Sequence, residues 1–236
     1  MASFGTTFYN RFGQERGLTM GQCLLLEGHW RLAENYNRHT NLTAIKDEES
    51  AIIKHYYDSL AVLPYLAAGL QVLDIGSGAG FPGIPLAIGC PDAGFTLMDS
   101  TAKRCNFLDE VIKELNLVNC RIVKDRCENL ARNDEFREAF DVATARAVAP
   151  LAVLLEYALP FLKVGGVFIA MKGPDAEAEL VLSANALVEL KGELQEVMPY
   201  FLPEGAGKRN LLVFKKTAST DEKYPRKEGR PEKRPL

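Results

Sequence analysis

VLDIGSGAGFPG, residues Val72 to Gly83, is the stretch whose reading decides the fold. Val72 and Leu73 are strand-forming, and Gly76, Gly78, Gly80 and Gly83 follow at spacings suited to a tight loop that opens a helix. Pro82 and Pro85 suit the first turn of that helix, where the missing amide donors have no intrahelical partner anyway. Gly78, Gly80 and Gly83 satisfy the literal GxGxxG of a dinucleotide site, but such a loop aims backbone amides at a pyrophosphate. Asp74 stands beside that place and would repel a phosphate; it would attract a ligand that carries positive charge and no phosphate. A phosphate-cradling P-loop is excluded, since no Gly-Lys-Ser/Thr follows.

Working outward, short apolar runs alternate with amphipathic stretches, the pattern of a parallel sheet wrapped by helices. The strands are expected at Gln71 to Ile75, Phe95 to Met98, Cys120 to Val123, Asp141 to Ala145 and Val167 to Met171, with a final pair near Leu194 to Met198 and Leu211 to Phe214. Helices are expected after Pro82, at Ala102 to Leu115, at Pro150 to Leu162 and at Pro174 to Leu190. Asp99 closes the second strand, in register to accept the two hydroxyls of a ribose. The third such loop, Asp125 to Glu128, is placed for an adenine edge. A ribose and adenine with a cation at the glycine loop describe S-adenosylmethionine, whose sulfonium and ammonium groups are positive. Asp74, Gly76, Gly78 and Asp99 are therefore the first cofactor-binding candidates.

The rest of the chain frames this core. Residues 1–69 read as a helical cap: Thr19 can cap a helix from Gln22 to Asn37 carrying Leu24, Leu25, Leu32 and Tyr36, and a second helix follows Ser50 with Ile52, Ile53, Tyr56, Leu60 and Leu63. After Lys216 the alternation stops. From Lys223 to Leu236 six bases face two acids, although the whole chain carries a net charge of −3. The tail thus reads either as solvated disorder or as an RNA clamp. Apolar residues make up 47% of the chain, enough for a substantial core, and no apolar run nears the roughly 20 residues of a membrane span. The five cysteines, Cys23, Cys90, Cys105, Cys120 and Cys127, lack CxxC pairing or zinc-ligand spacing, so reduced thiols, a cytoplasmic setting and no metal are expected. Nothing demands a dimer, and a monomer is expected.

Methyl transfer from a sulfonium is a direct displacement, so alignment of donor and acceptor does most of the work. After the fourth strand the sequence is Ala143-Thr144-Ala145-Arg146-Ala147, with neither an Asp/Asn-Pro-Pro-aromatic loop nor a Pro-Cys nucleophile. An acceptor with a free lone pair, such as guanine N7, suits this lack of a general base. Arg146 at the end of that strand and Lys172 at the end of the next are the catalytic candidates. Lys103, Arg104, Arg126, Arg226 and Lys227 are candidate RNA contacts. Trp30, Tyr36 and Tyr56 read as helix packing rather than base stacking. His55 and Asp58, one helical turn apart, read as a structural hydrogen-bonded pair, the histidine also serving the Asn41 to Thr43 loop.

These residues together resemble the RsmG (glucose-inhibited division protein B) family of 16S rRNA guanine-N7 methyltransferases. The resemblance covers Tyr36-Asn37, Asn41 to Ile45, His55 with Asp58-Ser59-Leu60, Asp74 to Pro85, Asp99-Ser100, Lys103-Arg104, Phe107-Leu108, Arg126 with Glu128, Arg146-Ala147, Lys172-Gly173 and the YPRK-x-G-x-P-x-K-x-PL tail. It implies an α/β, Rossmann-like class I S-adenosylmethionine-dependent methyltransferase. The expected sheet is seven-stranded and mostly parallel, with helices on both faces and an N-terminal helical cap. It also implies cofactor binding by Gly76, Phe81, Cys127, Glu128 and Arg146, and methylation of a guanine in the decoding-region loop of the small-subunit rRNA. Cys127 and Ala145 depart from the family's usual residues at those positions. The expected organisation is a cap at 1–69, a methyltransferase core at 70–216 and a basic, proline-rich tail at 217–236. Two other functions fit the same residues: a methyltransferase acting on another RNA or on protein, and a non-catalytic ribosome-binding module.

Overall fold

The computed structural model describes residues 3–236. Its centre is a seven-stranded sheet of β1 (Gln71–Ile75), β2 (Gly94–Asp99), β3 (Cys120–Lys124), β4 (Phe140–Arg146), β5 (Leu162–Lys172), β6 (Gly192–Phe201) and β7 (Lys208–Lys216). Their order across the sheet is β3-β2-β1-β4-β5-β7-β6. The pairings from β3 to β5 are all parallel, and β7 lies antiparallel between β5 and β6. The helices are α1 (Phe4–Phe8), α2 (Met20–Asn37), α3 (Glu48–Ala51), α4 (Gly83–Gly89), α5 (Ala102–Glu114), α6 (Cys127–Leu130), α7 (Leu151–Ala158), α8 (Ala176–Leu182), α9 (Ala184–Leu190) and α10 (Arg230–Lys233). A seven-stranded, mostly parallel sheet flanked by helices on both faces agrees with the expected fold.

Strand residues alternate between two cores, as a period of two requires. Val72, Leu97, Val142, Ile169 and Leu211 join α2, α4 and α5 on one face, whereas Leu73, Met98, Ala143, Phe168 and Phe214 join α7 on the other. Phe4, Phe8, Trp30 and Tyr56 belong to the first of these cores, so the cap is continuous with the sheet rather than a separate unit. Phe8, Phe95, Phe107 and Tyr56 are wholly buried, each contributing about 2–3 kcal/mol of transfer free energy.

Several local expectations need correction. Thr19 does cap α2, in a box with Gln22 that satisfies two amides reciprocally. The buried stripe, however, is Cys23, Leu26, Trp30 and Ala33, while Leu24 is 49% exposed. Apolar counting misplaced the stripe because it also contains Glu27 and His29, both buried. The segment after Ser50 starts earlier, with Asp47 accepting from Ser50 N, and widens into a π-type turn over Ile52–Tyr57. The expected helix from Pro174 to Leu190 is broken into α8 and α9 at buried Ser183, whose hydroxyl donates to Glu179 O at 2.7 Å.

Chain order reverses between β2-β1 and β4-β5, which opens a crevice at the carboxyl ends of β1 and β4. The glycine loop and the Arg146 to Val148 segment meet there.

Candidate active site

Asp74 is fully buried at the end of β1; its Oδ2 accepts from Gly83 N at 3.0 Å, and its Oδ1 has no partner in the protein. Burial raises its pKa to about 6. Gly83 is required for this contact, since a Cβ there would stand 2.6 Å from Asp74 Oδ2. Gly76 has φ +70°, and a Cβ on it would lie 2.6 Å from Val148 Cγ2. Asp99 ties the first two loops together: Oδ2 accepts from Gly78 N at 3.0 Å and from Arg104 Nη1 at 3.3 Å, and Oδ1 from Thr101 N at 2.8 Å.

A cavity opens beside these groups, walled by Gly76, Asp99, Arg104, Asp125, Arg126, Cys127, Glu128, Ala147, Val148, Tyr157 and Glu232. Its four carboxylates outnumber its two guanidiniums, so the field inside favours a cation. Gly76 with its positive φ and this acidic wall fit S-adenosylmethionine, whereas Asp74 and Gly78 lie behind the cavity and do not line it, Asp74 holding Gly83 N and Gly78 N donating to Asp99. Cys127 is a buried thiol whose ionisation burial suppresses; it offers shape and backbone, not a nucleophile.

A second cavity is lined by Ile45, Lys54, His55, Asp58, Arg146, Ala147, Met171, Lys172, Gly173, Glu179 and Arg209. Ala147 borders both cavities, and with φ +55° it holds a left-handed conformation rare outside glycine. Arg146 Nη1 donates to Asp58 Oδ2 and to Lys54 O, both at 3.1 Å, and Nη2 to His55 Nδ1 at 3.2 Å. Because His55 Nδ1 accepts, its Nε2–H donates to Thr43 Oγ1 at 2.8 Å. Burial, with the Arg146 charge adding to it, pushes His55 down to about 3, so it is neutral. The side chains of His55 and Asp58 do not bond each other, contrary to expectation; the π-type turn aims both at Arg146. Lys172 Nζ donates to Glu179 Oε2 at 2.7 Å and to Ala149 O at 2.9 Å.

Other candidates fall differently from expectation. Phe81 is buried against His55, ring centroids 4.3 Å apart, and lines neither cavity. Arg146 lines the second cavity but not the first. Trp30 and Tyr56 are core, and Tyr36 OH donates to Lys103 O at 3.2 Å, leaving Lys103 exposed. The tail is neither disordered nor free. Arg226 forks onto wholly buried Glu156, with Nη2–Oε2 at 2.6 Å, which removes it from the RNA candidates. Arg137 and Arg132 donate to tail carbonyls from Thr220 to Pro225, and Arg126 pairs with Glu228 at 2.8 Å. Lys227 is exposed. Glu128 is buried and accepts from Gly229 N at 3.0 Å and from Tyr157 OH at 3.2 Å.

Sequence reasoning missed Glu179, Tyr200, Tyr157, Glu232 and His29. Tyr200 OH donates to Asp58 Oδ1 at 2.7 Å, and buried His29 bridges Tyr56 OH to Ala79 O of the glycine loop. Only the glutamates Glu228 and Glu232, standing among the bases of the tail, could have hinted at any of them. Among the described residues no trio of His, Cys, Asp or Glu is placed to hold a metal, and no helix is long and apolar enough to cross a membrane.

Comparison with known proteins bears on this geometry. A SAM-dependent methyltransferase from Aquifex aeolicus superposes with TM-score 0.54 at 17% identity, over 77% of this chain and 97% of that one. The TYW2 protein of M. jannaschii in complex with AdoMet does so with TM-score 0.53 at 16% identity, over 68% and 75%. At these identities the likeness concerns the fold alone. In sequence, the ribosomal RNA small subunit methyltransferase G of Carboxydothermus hydrogenoformans is 46% identical over 231 residues, 98% of this chain and 97% of that protein. The family model described as rRNA small subunit methyltransferase G matches residues 22–211, a span that holds the glycine loop, Asp99, Arg146 and Lys172 together. The chain therefore belongs to the rRNA small subunit methyltransferase G family.

Proposed function

We propose that this protein transfers the methyl group of S-adenosylmethionine to N7 of one guanine in the decoding-region loop of 16S rRNA. The observation that carries the reading is the pair of cavities meeting at Ala147, one walled by Gly76 of the glycine loop and by Asp99, the other by Arg146 and Lys172. When bound in the first cavity, the donor supplies an activated methyl on a sulfonium, which is displaced by an attacking lone pair. The protein's task is then alignment and field. Asp99 presents an acceptor to the ribose side, and the Cys127-Glu128 loop edges the adenine side.

In the second cavity, the groups that could take a proton are already engaged. His55 is held neutral between Arg146 and Thr43, Asp58 takes Arg146 and Tyr200, and Glu179 takes Lys172 and Leu151 N. Guanine N7 needs no base, since it attacks with a free lone pair and the product keeps the added positive charge. Asp58 and Glu179 sit where that charge develops. Arg146 and Lys172 offer donors to guanine O6 or to the flanking phosphate.

The exposed bases Lys103, Arg104, Arg126 and Lys227, together with Arg230, Lys233 and Arg234, supply the RNA-facing charge. A cytoplasmic monomer with cap, core and tail acting as one body completes the reading. A labelled-methyl assay on 16S rRNA and on 30S particles, followed by mapping of the base, tests it. One label at a guanine N7 is expected; label on protein or on an exocyclic amine overturns the assignment.

A further inference from the structure

The C-terminal tail reaches the wall of the first cavity. Glu232, on α10, lines it alongside Tyr157 and Glu128. The Tyr157 hydroxyl lies 3.2 Å from Glu128 Oε1 and 3.3 Å from Glu232 Oε1. One phenolic proton serves one acceptor at a time. Glu128 has a second donor in Gly229 N at 3.0 Å, so Glu232 is the carboxylate left short.

The placement is built rather than incidental. Arg226 is forked onto Glu156, which is wholly buried, and its own backbone N donates to Glu156 Oε1 at 2.7 Å. Tyr224 is buried, with its OH on Glu189 at 2.8 Å. Arg126, itself a wall of the cavity, pairs with Glu228. Arg226 and Tyr224 thus tie the tail to α7 and α9, while Glu228 on Arg126 and Gly229 N on Glu128 hold the Gly229–Lys233 turn against the segment that follows β3. The family model ends at Leu211, before any of these tail residues.

We propose that Glu232 is a cofactor-binding residue that accepts a hydrogen bond from the exocyclic amine of the donor's adenine, so that the docked tail is one wall of the methyl-donor site. The proposal rests on the first cavity being that site. An adenine amine offers two N–H groups where the protein has one phenolic proton for two carboxylates, and Glu232 is exposed enough that changing it spares the fold. Binding of the donor and docking of the tail then stabilise each other, because each completes a surface that the other needs.

Calorimetry on the full chain tests this with S-adenosylhomocysteine and with S-inosylhomocysteine, in which an oxo group replaces the amine. The wild type should prefer the adenosyl ligand by about tenfold, and Glu232→Gln and Glu232→Ala should lose most of that preference, with thermal melts unmoved. Hydrogen exchange of residues 226–233 should slow when the adenosyl ligand is added. An unchanged preference in both variants, or tail exchange indifferent to ligand, overturns the proposal. Absence of heat with wild type and S-adenosylmethionine overturns instead the donor-site reading on which it stands.

Discussion

Arg146 and Asp58, 88 residues apart in the chain, form an ion pair of 3.1 Å with side chains only 14% and 5% exposed. It joins the end of β4 to the cap and fixes the guanidinium over the second cavity, 5.2 Å above the Phe81 ring. A lysine at position 146 keeps the charge but cannot reach His55, Asp58 and Lys54 O together. Arg146→Lys should therefore lower kcat/KM for methyl transfer about 10²-fold through misplacement. Asp58→Asn should cost about 3 kcal/mol of stability, because it strands a largely buried guanidinium. Urea unfolding and steady-state kinetics on both variants separate the two effects; full activity in Arg146→Lys would remove the residue from the site.

Gly76 makes a second test. Gly76→Ala forces a side chain into the left-handed region and against Val148, so donor affinity should fall at least tenfold with a stability loss of about 1–3 kcal/mol. Adding Val148→Ala relieves the contact but not the backbone, so the double variant should recover affinity only in part. Full recovery would show that crowding alone was at fault.

Acid should unfold the protein through its buried histidines. His29 is held neutral, its pKa lowered to about 4 by burial, against about 6.5 in an unfolded chain. Between those values the unfolded state binds the extra proton. The stability contribution is therefore complete above pH about 6.5 and is lost as pH falls toward 4. His55, lowered to about 3, acts in the same direction. His29→Gln should be less stable at pH 7.5 but flatter below pH 6.5, by up to about 1.4 kcal/mol per pH unit. Parallel profiles of urea midpoint against pH would refute the assignment.

The tail's bases should divide by what they touch. Arg226→Met strands buried Glu156 and should cost about 3 kcal/mol while leaving the salt slope of RNA affinity unchanged. Replacing Lys227 and Arg230 by alanine should leave stability alone and reduce that slope by about one each. The reverse pattern would return Arg226 to the RNA surface.

Much of the fold was legible because it is local. Short apolar runs between amphipathic stretches placed all seven strands, Thr19 announced its cap, and Asp74 and Asp99 pointed by charge and register to the carboxyl edge of β1 and β2. The second cavity was legible only in part. Arg146 and Lys172 declare themselves at strand ends, but Tyr200 reaches Asp58 across 142 residues, and no spacing rule sees such a contact. His29 hid in a helix read by its leucines, and Arg226 looked like one more tail base until Glu156 appeared beneath it. Charge counted along a chain says nothing of which charges are already answered.

Because β7 runs against its neighbours, the chain leaves the sheet at its amino edge, where Lys216 Nζ donates to Leu162 O at the start of β5. The tail must then travel back along α7 to reach the opposite edge. A ribosome synthesising this protein delivers Glu232 only after every strand has emerged. A chain cut after Lys216 would keep all seven strands, the glycine loop and Asp99, yet lack the wall that Glu232 supplies, and should hold the methyl donor loosely.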